Sequence, residues 1–173
     1  PIDQVLELIE TSILKKELTP EDLLGKKFFE EFIFTPNDED LAYYFEEHEL
    51  FGSLVASIYS SECAEDYRFL IIQKFIHMSK YLKNMDSFIS FLSDLFTKEF
   101  STQIVSLLLN FLSNSYFINL LSNELSKQEE GFDYFVKANG FCELNEFVSN
   151  NSYDNLCLLK LLASLSNFYF HHE

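Results

Sequence analysis

Apolar residues recur along this chain at intervals of three and four, and no segment alternates apolar with polar residues for long enough to make a good strand. Near the start, Ile2, Val5, Leu6, Ile9 and Ile13 predict one face of an amphipathic helix running to about Lys16. Thr19-Pro20-Glu21-Asp22 then offers a capping hydroxyl, a proline at the first helical position and acids in the first turn. It opens a second helix with Leu23, Leu24, Phe28, Phe29 and Phe32 inward. Thr35-Pro36 closes that helix, because the residue before a proline is pushed out of helical conformation.

A third helix follows in "NDEDLAYYFEEHELF", with Asp38, Glu39 and Asp40 in a first turn that favours negative charge and Leu41, Tyr44 and Phe45 as the buried stripe. A fourth runs from Leu50 to Tyr59. Met85 to Phe96, Tyr116 to Leu125, Phe132 to Ala138 and Phe141 to Val148 are also amphipathic, and Asn139-Gly140 is a helix end followed by a new start. Three segments differ: "YRFLIIQKFIHMSKYL", "IVSLLLNFL" and Leu156 to Phe168 are apolar on more than one face, the mark of helices buried on several sides. They begin near 67, 102 and 153, steps of about 35 and 51 that bracket the ~40-residue period of armadillo and HEAT units. The expectation is an all-α chain, an armadillo- or HEAT-like α-solenoid segment of about ten short helices, in which residues 1–173 form one helical-repeat domain.

Composition agrees with this reading. An apolar content of 47% in 173 residues is enough for a packed core, and twenty phenylalanines with only four glycines and three prolines leave few turns. Charge adds something new. Residues 1–66 carry seventeen acids and four bases, whereas 67–173 carry eleven acids and eight bases. A negative field of that strength repels phosphate, so nucleic acid and anionic membrane surfaces are excluded as expected partners in favour of a basic peptide or protein face. Solubility alone is the plainer explanation of the same acidity.

The first-turn acids Asp38, Glu39 and Asp40 stabilise a helix start, but Glu46, Glu47 and Glu49 lie at the far end and are expected to present charge outward. Together with Tyr43, which lies off the buried stripe and is expected to be exposed, these six acids make up the expected partner-binding surface; Tyr44 and Phe51 are further anchor candidates, with Tyr44 assigned to the core by the stripe it shares with Leu41.

No stretch carries a specific catalytic or cofactor signature. Gly25-Lys26 lacks the upstream glycine of a phosphate loop, and Gly52-Ser53 sits in a helix without the flanking pattern of a nucleophile elbow. His77 has no HExxH spacing and reads as a core or boundary histidine, while His48, between Glu47 and Glu49, reads as a solvated residue whose charge its neighbours favour. Cys63, Cys142 and Cys157 lack CxxC partners and read as reduced, buried thiols. The expectation is therefore no enzyme, no metal and no cofactor, in the cytoplasm or nucleus. A start at Pro1 and an end inside an apolar pattern are expected of a segment from a longer protein.

One resemblance bears on the partner. The order "TPEDLLGKKFFEEFI", "DEDLAYYFEEHELFGSLVASI", "YRFLIIQKFIHMSKYL" and "FISFLSDLF", with "DYFVKANGFCELNEFV" later, resembles the helical-repeat regulatory subunits of type-2A-like serine/threonine phosphatases, in particular the SAPS-domain group, over about Leu18 to Leu165. It implies a non-catalytic regulatory scaffold with a phosphatase catalytic subunit as its partner; it transfers no functional residue. Two alternatives stay open: a compact helical bundle that takes a partner helix in an apolar groove, and an enzyme whose site is assembled from distant residues.

Overall fold

The computed structural model describes residues 2–15, 29–60, 65–150 and 155–171. Among them are ten α-helices, a π-helical turn, a 3-10 turn and no strand, so the chain is all-α. The helix expected from Pro20 onward lies mostly outside the described residues, and Cys63 lies outside them too. The chain folds as two compact units, Pro1–Leu95 and Phe96–Glu173.

The first unit begins with α1, Ile2–Leu14. Of the expected stripe, Leu6 is buried and Ile9 half-buried, whereas Val5 is exposed; Glu10, four residues from Leu6, is buried as well. A π-helical turn, Phe29–Phe34, buries Phe32 and Ile33 and ends where the Thr35 amide donates to the Glu30 carbonyl five residues back, at 3.0 Å.

Helix α2, Asp38–Glu47, is capped by Asn37, whose Oδ1 accepts from the Asp40 amide at 2.8 Å. α3 spans Phe51–Ser60 and α4 spans Glu65–Met78, with the 3-10 turn Ser79–Tyr81 continuing it. α5 covers Met85–Phe96. Lys74 on α4 holds the start of α2 twice, with its Nζ 2.9 Å from Asp38 Oδ1 and donating to the Pro36 carbonyl at 3.0 Å.

Phenylalanines fill the space where α2, α3, α4 and α5 meet. The Phe45 ring lies edge-on to Phe75, Phe88 and Phe91, with centroids 5.9, 5.9 and 5.4 Å away. Gly52 permits this packing, since a Cβ there would come within 3.0 Å of the Phe45 ring. Phe51, an alternative surface anchor by sequence, is fully buried in the same cluster.

In the second unit, α6 (Thr102–Leu109) is capped by Ser101 and buries Ile104, Val105, Leu107, Leu108 and Leu109. α7 (Ser115–Lys127) is capped by Asn114 and packs extensively along α10 (Asn155–His171). Between them lie α8 (Gly131–Lys137) and α9 (Gly140–Asn150). Asn139 takes the left-handed conformation at the α8–α9 corner, with φ 61°, and Gly140 starts the new helix directly over the Phe135 ring.

Not every helix expected to be buried all round is so. α10 buries Cys157, Leu158, Leu161 and Leu165 but leaves Leu156, Leu159 and Leu162 exposed at three-residue steps, so apolar residues also occupy its outer face.

Candidate functional site

Asp3, Glu7 and Glu10 fall at steps of four and three on α1, which places them on one stripe of the helix. That stripe borders the end of α2 and the turn into α3, where Tyr43, Glu47, His48, Glu49 and Leu50 complete an open groove of about 460 Å³. Five carboxylates thus line one groove with a single histidine.

His48 is drawn into this groove, with its side chain only 15% exposed. Its Nε2 lies 3.8 Å from Asp3 Oδ1 and its Nδ1 3.6 Å from Glu10 Oε2, so both ring nitrogens face α1. The expectation of a solvated residue between Glu47 and Glu49 is corrected here: the acids that hold His48 come from another helix. Chain reversal at the α2 end, where the His48 amide still donates to the Tyr44 carbonyl, turns the imidazole that way.

Glu10 is the unusual member. It is 8% exposed, and its second oxygen, Oε1, is buried without a hydrogen-bond partner. Burial pushes its carboxyl above the ordinary range; His48 pulls it back and Glu7 adds to the rise. Burial, and then the charges of Asp3 and Asp40, likewise raise the Tyr44 hydroxyl above its ordinary value.

The seven residues expected to form a binding surface divide into three sets. Tyr43, 53% exposed, and the exposed Glu47 and Glu49 line the groove. Glu39 and Asp40 are exposed at the opposite end of α2, and Asp38 is paired with Lys74. Glu46 does not present free charge outward. Its carboxylate accepts from the Lys83 amide at 3.1 and 3.0 Å and from the Asn84 amide at 3.0 Å, and so holds the entry to α5.

Sequence reasoning missed Asp3, Glu7, Glu10 and His48 as one constellation. The spacing of the three acids was visible, but their meeting with His48 depends on the packing of α1 against α3.

Elsewhere, His77 is exposed on α4 rather than set at a core boundary, and Cys142 is an exposed free thiol rather than a buried one; Cys157 is a buried thiol, as expected. Among the described residues, no group of three histidine, cysteine or acidic side chains is arranged to hold a metal ion, and no helix is long and apolar enough to cross a membrane. No protein-family model matches the chain, and no curated protein or solved structure does either.

Proposed function

We propose that this chain is a non-catalytic interaction scaffold of the α-solenoid kind, which docks a basic peptide or protein face on the groove between α1 and the α2–α3 turn. The observation that carries the reading is the convergence of Asp3, Glu7, Glu10, Glu47 and Glu49 around one groove with the exposed Tyr43 at its side. Like charges gathered in this way repel one another, and a cationic partner relieves the repulsion as it binds. An aromatic ring beside the acids adds contact area and a face that attracts cations. The resemblance to SAPS-domain subunits makes a phosphatase catalytic subunit the first protein to try.

The test compares the native chain with a Glu7→Lys, Glu47→Lys, Glu49→Lys variant in binding to a panel of lysine- and arginine-rich peptides at low and high salt. A control with the same charge change in the second unit, Glu129→Lys, Glu143→Lys, Glu146→Lys, separates site from bulk charge. Loss of binding in the first variant alone, with steep salt dependence in the native chain, supports the reading. Equal loss in both leaves only net charge, and the groove is then not the site.

A second reading has its own observation. The exposed Leu156, Leu159 and Leu162 of α10 offer an apolar strip to a partner helix. Binding there would be insensitive to salt and would be abolished by Leu159→Asp.

A further inference from the structure

We propose that Glu10 is the anchoring carboxylate of an arginine pocket, in which one guanidinium of the docked partner enters the groove between α1 and the α2–α3 turn and bonds the Oε1 atom that the fold leaves unpartnered. The inference rests on the acidic-groove reading above and deepens it, since it identifies which cationic group is selected and which atom selects it.

Three observations support it. First, a carboxylate at 8% exposure with one buried oxygen lacking a partner is a place where a ligand donor gains more than it would at an exposed acid, because the fold has already taken that oxygen out of bulk solvent. Second, the neighbouring imidazole does not serve that oxygen: His48 sets Nδ1 3.6 Å from Glu10 Oε2 and Nε2 3.8 Å from Asp3 Oδ1, and Oε1 is left without a donor. Third, Glu10 lines the groove together with Glu7 and Glu47, so a small turn of its carboxyl brings Oε1, closed to water in the free chain, to a planar cation that meets further acceptors on the way in.

This arrangement favours arginine over lysine. A guanidinium spreads five donors over a fork and can bond Oε1 and a second carboxylate at once, whereas an ammonium is a compact and strongly hydrated point charge. The Tyr43 ring, exposed beside the same groove, offers a flat face on which a guanidinium also stacks.

The experiment uses the full chain and a fluorescently labelled basic peptide in three forms that differ at one position: arginine, lysine, or citrulline, the neutral isostere of arginine. The remaining basic residues are held constant. The native chain is expected to bind the arginine form about tenfold more tightly than the citrulline form, with lysine between them. The Glu10→Gln variant is expected to lose that preference while still binding all three forms through the exposed Glu7, Glu47 and Glu49.

An arginine preference that survives unchanged in Glu10→Gln overturns the pocket and leaves the acidic-groove reading standing, as does a native chain that binds basic peptides without distinguishing arginine from citrulline. A native chain that binds none of the peptides removes both. Should Glu10→Gln fail to fold, the native chain decides the matter. Its glutamate carboxyl carbons are followed by NMR during titration, where a saturable movement of the Glu10 resonance with the arginine form but not the citrulline form supports the pocket, and an unmoved resonance overturns it.

Discussion

Replacing Glu46 by alanine is expected to loosen the first unit without touching its core. The Glu46 carboxylate holds two backbone donors, Lys83 and Asn84, at 3.0–3.1 Å, immediately before α5 begins. Hydrogen bonds to a charged group contribute about 1.5–3 kcal/mol each, and loss of a helix cap costs about 0.5–2 kcal/mol. Glu46 is half-exposed and water replaces part of what is removed, so the expected loss is about 2 kcal/mol. Glu46→Gln keeps an acceptor but not the charge, and is expected to cost about half as much.

Urea denaturation measures the total, with Glu47→Ala as a control expected to stay within about 0.5 kcal/mol of the native chain. Because the chain has two compact units, amide hydrogen exchange supplies a local readout: the Lys83 and Asn84 amides should exchange faster in Glu46→Ala while those of α7 remain protected. Equal stability of Glu46→Ala and Glu47→Ala, with unchanged exchange at Lys83 and Asn84, would refute the clamp. Charge-reversal tests of the groove should therefore leave Glu46 in place.

Glu10 imposes a pH dependence whose sign follows from its burial. The folded chain holds this proton more tightly than the unfolded one, so its contribution to stability is full below the ordinary carboxylate value of 4.5 and is lost as pH rises through Glu10's own raised value. Urea unfolding across pH should show the native chain falling progressively behind Glu10→Gln as pH rises through that window; a difference that is flat or reversed contradicts the argument. Gly140→Ala places a Cβ 2.5 Å from the fully buried Phe135 ring, so an overpacking loss of about 1–3 kcal/mol is expected in thermal or urea unfolding. Phe75→Ala, in the phenylalanine cluster, should cost about 3–5 kcal/mol by the same assay, whereas Tyr43→Ala on the surface should cost less than about 0.5 kcal/mol.

Much of the helix order was readable because each element carries its own start and stop chemistry. Met85 to Phe96 is bounded as its apolar spacing requires, and Asn139-Gly140 marks the end of one helix and the start of the next, as its turn chemistry predicts. What could not be read was the direction in which a charged side chain is used. Glu46 and Glu47 are neighbours of one type, yet the turn of the helix aims one at two backbone amides and leaves the other in solvent. Glu10 shows the same limit: on α1 it looks like one more surface acid, and only packing against α3 buries it four residues from Leu6. Leu159 is the converse, an apolar residue that periodicity assigns to a core and that packing leaves outside.

Helix α2 has ten residues, of which only Leu41 and Ala42 are buried, and a free helix shorter than ~12–15 residues is marginal in water. It is held from outside, by Lys74 at its start, by the Phe45 ring along its length and by the grip of Glu46 on α5 near its end. Tyr43 and Glu47 therefore do not constitute a linear motif. A synthetic peptide copying "NDEDLAYYFEEHELF" would present the same charges without the wall they stand on, and a transplant of this surface to another scaffold would have to carry α1, α4 and α5 with it.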